Sequence, residues 1–275
     1  MENDVTPFVH NFRKVTLITG GSKGIGEGCA RVFVAAGAPV VICARGREAG
    51  EALAAELTTK GPGSCHFEPC DVSKPDEIKQ AIERTVQLHG CLDCLVNNAG
   101  QHPPHKPIDE FSIQDFVDIL QLNLVSYFAA CKFALPYLRQ TRGSIVNLSS
   151  LVGNVGQHWA TTYCATKGGI TAFTKALAIE EAKHGVRVNA VLPGNIITQS
   201  RLDLEARLED SQTFHNYVEG WQWLGRSGTI EEAGNACLFL ASDAASFITG
   251  VELFLSGGAE LDFGPKGPLP ITIPA

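Results

Sequence analysis

The chain has 275 residues, 44% hydrophobic and 19% charged, with a net charge of -7 and a pI near 5.6. That composition suffices for a sizeable buried core, and an acidic balance without a long Lys/Arg run argues against nucleic acid or an anionic membrane as partner. Nine cysteines, an odd number scattered through apolar segments, point to buried thiols in a reducing, cytoplasmic setting rather than to a disulfide framework.

Residues 1–14, MENDVTPFVHNFRK, lack the apolar stretch with basic flanks of a signal peptide, and no uninterrupted apolar run approaches the ~18 residues of a spanning helix. KVTLITGG is then a short β-branched run ending in glycines, and GEGCARVFVAAG has helical spacing up to Gly37. APVVICAR is a second strand, followed by the helical REAGEALAAELTTKG. SCHFEPCDV and PDEIKQAIERTVQLHG repeat the pair, and LDCLVNNAG is a fourth strand. The stretch 113–141 reads as one long helix, GSIVNLSS as a fifth strand, 160–185 as a second long helix and VRVNAVLPG as a sixth strand. TIEEAGNACLFLASDAA and GVELFLSGG supply a last helix and strand.

Continuous Val/Ile/Leu strands that alternate with helices imply a parallel sheet covered on both faces. The expected class is α/β: a single-domain, Rossmann-type, doubly wound parallel sheet. Its domain is expected over residues 1–264, with a cover at about 196–223, and a Pro-rich tail at 265–275 that cannot be helical throughout.

Gly20, Gly24 and Gly26 follow the first strand and open a helix, the context in which a glycine turn admits a pyrophosphate to a helix N-terminus. A dinucleotide is therefore expected there. An NAD site usually carries Asp or Glu about 20 residues further on, against the ribose 2′-OH. Here Ala44 ends the second strand and Arg45 follows, with Arg47 close by and Lys23 in the loop. A 2′-phosphate would be repelled by a carboxylate and attracted by a guanidinium. NADP(H) is thus favoured, with NAD(H) as the alternative. Cys91 and Cys94 form a C-x-x-C, but no second pair stands at zinc spacing, so no metal is expected.

TGGSKGIG, NNAG at Asn97–Gly100, LNL around Asn123, a Ser thirteen residues before YCATK, and Pro193–Gly194 occur in order. Together they resemble the short-chain dehydrogenase/reductase family, from about Val15 to Gly258. Within it the similarity is greatest to a branch described both as 17β-hydroxysteroid and as L-fucose dehydrogenases, in which an acidic residue ends the second strand; Ala44 departs from that pattern. The resemblance implies a catalytic tetrad of Asn123, Ser150, Tyr163 and Lys167, with Ser149 a rival to Ser150. It implies a cofactor site of Gly20, Ser22, Lys23, Gly24, Ile25, Gly26, Ala44, Arg45, Asp71, Val72, Asn97, Ala99, Gly100, Tyr163, Lys167, Pro193, Gly194, Ile196 and Thr198. Substrate would meet His102, Ser150, Gln157 and Tyr163, with His158 and Trp159 nearby and His105 a solvated loop residue. The implied assembly is a homotetramer or homodimer, and Asn123 is expected to hold a water in a proton relay.

Tyr163 and Lys167 stand one helical turn apart. A cation about 5 Å away in an effective dielectric near 20 would lower a phenol by roughly two pKa units, toward a general acid/base. The expected reaction moves a hydride between the cofactor and a small-molecule secondary alcohol or ketone, a steroid 17β-hydroxyl being favoured over a sugar. A non-catalytic dinucleotide-sensing protein and a dehydratase or epimerase on the same fold are the other readings. Arg201 leaves room for a polar substrate, whereas Trp221 and Trp223 are expected to pack the cover onto the core.

Overall fold

A computed structural model describes residues 11–207 and 210–261. Seven strands form one parallel sheet: β1 (Thr16–Thr19), β2 (Pro39–Ala44), β3 (Ser64–Pro69), β4 (Cys94–Asn97), β5 (Ser144–Leu148), β6 (Arg187–Pro193) and β7 (Glu252–Leu255). Their order is β3-β2-β1-β4-β5-β6-β7. Thr16 pairs with Val40 on one side and Cys94 on the other, so the winding direction reverses beside β1.

The alternation of side chains along a strand sorts the apolar residues into two cores. Ile18, Val40, Ile42, Val96 and Val146 enter one cluster, together with Phe33 and Leu238. Their chain neighbours Leu17, Val41, Leu95 and Ile145 enter the other, with Ile82, Leu138 and Leu177. Helices α1 (Gly24–Ala35), α2 (Arg47–Lys60) and α9 (Ile230–Ala241) supply residues to the first core. Helices α3 (Pro75–His89), α5 (Ser126–Thr141) and α6 (Thr161–Ala182) supply the second. Helix α1 meets α9 at a glycine contact: a Cβ on Gly28 would fall 2.1 Å from the Ile230 carbonyl oxygen.

Local signals fix the ends. Pro75 opens α3, and Gly90 closes it in the left-handed region at φ +82°. Ser112 with Asp115, and Thr229 with Glu232, form reciprocal capping boxes on α4 (Ile113–Leu120) and α9. The single helix expected over 113–141 is in fact α4, a π-helical segment Gln121–Val125, and α5. This stretch is long and apolar enough to cross a membrane by length and composition, contrary to the expectation from apolar runs, but half of its most apolar window is buried within the fold. Two short helices, α7 (Gln199–Glu205) and α8 (Ser211–Glu219), occupy the expected cover. The Pro-rich tail lies outside the described residues.

Candidate active site

In an open α/β sheet, loops leaving the carboxyl ends of the strands diverge where the winding reverses, and a crevice opens between them. Here that crevice is a cavity of about 920 Å³. Gly20, Ser22, Lys23, Gly24 and Ile25 line it from the β1–α1 turn, and Ala44 and Arg45 from the end of β2. Asp71 and Val72 follow β3, Ala99 and Gly100 follow β4, and Pro193, Gly194 and Thr198 come from the end of β6 and the loop after it. His102, Ser150, Tyr163 and Lys167 face the same space.

The turn accepts only glycine. Gly20 and Gly24 sit at φ +65° and +57°, and a Cβ on Gly26 would lie 2.3 Å from the Gly20 carbonyl oxygen. Helix α1 then begins without a side-chain cap, so its first N–H groups face the cavity unpaired by side chains. A bare helix start on a glycine turn fits a dinucleotide diphosphate. Arg45 lies near Asp71. Burial works to raise that carboxyl, but the Ser73 hydroxyl and N–H, with Arg45, bring it below its usual range. Arg47 is tied to Glu51 at 2.8 Å.

Three expected cofactor residues do not line the cavity. Asn97 is buried in β4, where its Nδ2 donates to Asn147 Oδ1 at 2.9 Å, and Asn147 Nδ2 donates to Thr174 Oγ1 at 2.9 Å. Its neighbour Asn98 lines the groove and donates to the carbonyls of Thr19 and Gly20 at 2.9 and 3.0 Å, locking the glycine turn onto β4. The strand alternation separates the two asparagines. Ile196 is buried against Gly228, and Gly26 packs under the turn. Cys43 and Cys70, not anticipated, also line the groove.

Ser150, Tyr163 and Lys167 meet as their spacing implies. Ser150 and the phenol line the same wall of the cavity, and the serine side chain works to lower the phenol's titration. The Ser149 hydroxyl donates to the Lys167 carbonyl at 2.8 Å, which leaves Ser150 to face Tyr163. Lys167 Nζ donates to the Leu148 carbonyl at 2.8 Å and lies 5.7 Å from the Tyr163 ring centroid. Burial decides both titrations: it pushes the phenol up to about 12, against the lowering influence of Ser150, and the lysine down to about 7. This corrects the expectation that the lysine brings the phenol toward neutrality. The amine is turned to a carbonyl, and taking a charge out of water outweighs its attraction.

Asn123 is fully buried in the π-helical segment and does not line the cavity. Its Oδ1 accepts from Gln101 N at 2.9 Å, and its Nδ2 donates to the Gln101 carbonyl at 2.9 Å and to Thr166 Oγ1 at 3.2 Å. The side chain therefore pins the loop after β4 to α6.

At the mouth, His102 lies on Tyr163 with ring centroids 4.1 Å apart, and His102 Nε2 meets Gln157 Oε1 at 3.2 Å. His105, an exposed loop residue as expected, stacks on His102 at 4.7 Å and bonds the His158 carbonyl. His158 and Trp159 stack on each other at 4.3 Å away from the cavity wall. On the cover, Arg201 binds Glu205 at 2.7 Å, Glu219 at 3.3 Å and the Ser227 hydroxyl, which occupies it within the protein. Trp221 and Trp223 are 40% and 48% exposed. Packing onto the core is therefore not their role; Tyr217 meets Trp221 edge-on at 5.2 Å, and Trp223 donates to the Leu261 carbonyl.

A family model described as enoyl-(acyl carrier protein) reductase matches residues 20–260. L-fucose dehydrogenase of Oryctolagus cuniculus is 47% identical over 253 residues, covering 92% of this chain and 87% of that one. The 3-oxoacyl-(acyl-carrier-protein) reductase FabG of Chlamydia muridarum is 37% identical over 246 residues, 89% of this chain and 96% of its own. The crystal structure of Cj0485 dehydrogenase superposes with a TM-score of 0.84 at 32% identity, covering 91% of this chain and 95% of the other. Sheet order, groove and sequence similarity thus converge, and the chain belongs to the short-chain dehydrogenase/reductase family, as an NAD(P)-dependent oxidoreductase acting on CH–OH groups.

Proposed function

We propose that this protein oxidises a hydroxyl of a free sugar, of the L-fucose type, and reduces the corresponding carbonyl. The observation that carries the reading is the phenol of Tyr163, beside Ser150 in the cavity wall and overlaid by His102, whose far nitrogen meets Gln157. A polar ring against the phenol suits a substrate with hydroxyls on neighbouring carbons, and Gln157, expected to meet substrate, instead stands outside the cavity lining and holds His102 in place. The names of the relatives, L-fucose dehydrogenases of several mammals, point the same way. A steroid 17β-hydroxyl is the second reading, favoured by the exposed aromatic pair Tyr217–Trp221 on the cover.

The bound nicotinamide dinucleotide would accept or supply the hydride and, when oxidised, add a positive charge. The chain's own part is to hold and move the proton. Ser150 orients the substrate oxygen; in reduction Tyr163 gives that oxygen its phenolic proton, and in oxidation the phenol first releases its own proton to solvent, a loss the positive charge of the oxidised cofactor would favour, and then takes the proton of the alcohol. Lys167 lies behind the phenol, and Asn123 keeps the loop wall in place. The turn at Gly20–Ile25 would hold the diphosphate, while Pro193, Gly194 and Thr198 would flank the nicotinamide. Arg45 and Lys23, with Ala44 where a carboxylate would repel phosphate, support a preference for NADP(H).

Kinetics on L-fucose, other aldoses, 17β-hydroxysteroids and small ketones, each with NAD and NADP, test the proposal. Sugar turnover should exceed steroid turnover, and Tyr163→Phe should lose about a hundredfold or more in kcat. Full activity of Tyr163→Phe defeats the mechanism, and turnover of steroids alone defeats the sugar reading. Arg45→Asp should raise KM for NADP by about five- to thirtyfold while leaving NAD usable, since the charge pair is worth on the order of 1–2 kcal/mol. Equal use of NADP by that variant would remove Arg45 from the cofactor site.

We further infer a cytoplasmic, oligomeric protein. All nine cysteines are free, and Val117 and Phe128 on α4 and α5 are 49% and 53% exposed, as a face for a second copy would be. Sedimentation that gives a monomer would refute the assembly.

A further inference from the structure

Lys167 is a cation in an unusual place. Its side chain is 4% exposed, and burial alone sets the direction of its titration, so no carboxylate offsets the cost of charging it. The groups that do face it are a carbonyl and two rings. Leu148 O accepts from Nζ at 2.8 Å and from the Tyr127 hydroxyl at 3.0 Å. Nζ lies 5.7 Å from the ring centroid of Tyr163 and the same 5.7 Å from that of Tyr127. The amine is therefore held between two phenol rings, one of which reaches substrate.

Tyr127 is 1% exposed and is among the largest side chains buried completely. It stands in the first turn of α5, four residues after Asn123, so one helix face delivers both residues toward the site. Its ring adds a negative π face where water is excluded, and a cation within about 6 Å of such a face is attracted to it. The titratable groups that face Tyr127 are Tyr163 of α6, Cys131 of its own helix and Cys237 of α9.

We propose that Tyr127 is a positioning residue for the reaction: its ring holds the Lys167 ammonium in place and charged behind Tyr163, and its hydroxyl steadies the shared Leu148 carbonyl. The proposal builds on the role given above to Tyr163 and Lys167. The ring does the larger part. Removing the hydroxyl leaves no unpaired acceptor, because Lys167 still donates to Leu148 O. Removing the π face of Tyr127 leaves the cation with the Leu148 carbonyl and the Tyr163 ring alone.

Replacing Tyr127 by Phe, and then by ring-fluorinated phenylalanines of increasing fluorine content, separates these contributions. The shape is kept while the negative face is drained. Two measurements are made: the Lys167 titration, by NMR of 13Cε-labelled lysine, and pH profiles of kcat and KM. Tyr127→Phe should stay within about threefold of the unaltered protein. Across the fluorinated series the Lys167 midpoint should fall by about half a unit to one unit, and kcat should fall about three- to thirtyfold with KM nearly constant. A midpoint and profile that do not move along the series, with the fold intact by circular dichroism, would overturn the proposal. So would a loss in Tyr127→Phe as large as in the most fluorinated variant. If the unaltered protein turns over no alcohol, the proposed function fails, while the lysine titration still decides the role of Tyr127.

Discussion

At the scale of single residues, the site is a place where polar groups are buried against their own preference. Lys167 costs the fold stability. Its value falls from 10.5 to about 7, so at pH below about 7 the unfolded chain is favoured by proton binding that the folded chain resists. The cost corresponds to roughly 5 kcal/mol there and fades as pH rises from 7 to 10.5. Lys167→Met should therefore raise the melting temperature at pH 6–7, by less at pH 9 and not at all near pH 10.5, while abolishing turnover. Thermal melts of the two proteins over that pH range check it, and a variant less stable at pH 6 would show that the ammonium is a net stabiliser. The proposed role in proton transfer would account for a residue that folding alone would discard.

At the scale of elements, the packing of α1 on α9 decides where the helix start aims. Gly28 and Gly234 allow the two backbones to touch, since a Cβ on Gly234 would lie 2.5 Å from the Gly28 carbonyl oxygen. Gly28→Ala has no flexible side chain to push aside. It should cost about 3 kcal/mol and lower the melting point by about 5–10 °C, with weaker nucleotide binding as α1 tilts. Calorimetry and a nucleotide titration test this; an unshifted melt would mean that the helices separate freely. The seven strands and the placing of Ser150, Tyr163 and Lys167 were legible in sequence, because strand periodicity and helical spacing are local. What escaped was set by distant partners. The π-helical turn at Asn123 is held by Gln101 and Thr166, which no local pattern links to it. Asn97 and Asn98 are equivalent as letters, and only the pairing of β4 with β5 decides which faces the groove. The exposure of Trp221 and Trp223 depends on where α8 ends and β7 begins, which composition does not encode.

At the scale of the whole molecule, the groove and the reacting phenol come from different halves of the sheet. Glycine turn and Arg45 belong to β1 and β2, Ser150 and Tyr163 to the segments after β5, and the junction is the β1–β4 pairing. The strand order also has a bearing on synthesis. After β1, β2 and β3 have paired, every later strand joins the opposite side in the order in which it leaves the ribosome, so β4, β5, β6 and β7 each cover the edge left by the one before. A chain ending near residue 249 would carry Ser150, Tyr163 and Lys167 yet leave the seven residues of β6 with an uncovered rim of backbone donors and acceptors, a template for pairing with another chain. Such a truncated product should be made at a normal rate but recovered in the pellet, and restoring only 250–261 should return it to the supernatant. The last strand, remote in sequence from the groove, thereby exchanges a seven-residue rim for one of four residues, and a short edge strand is a poor template for pairing between molecules.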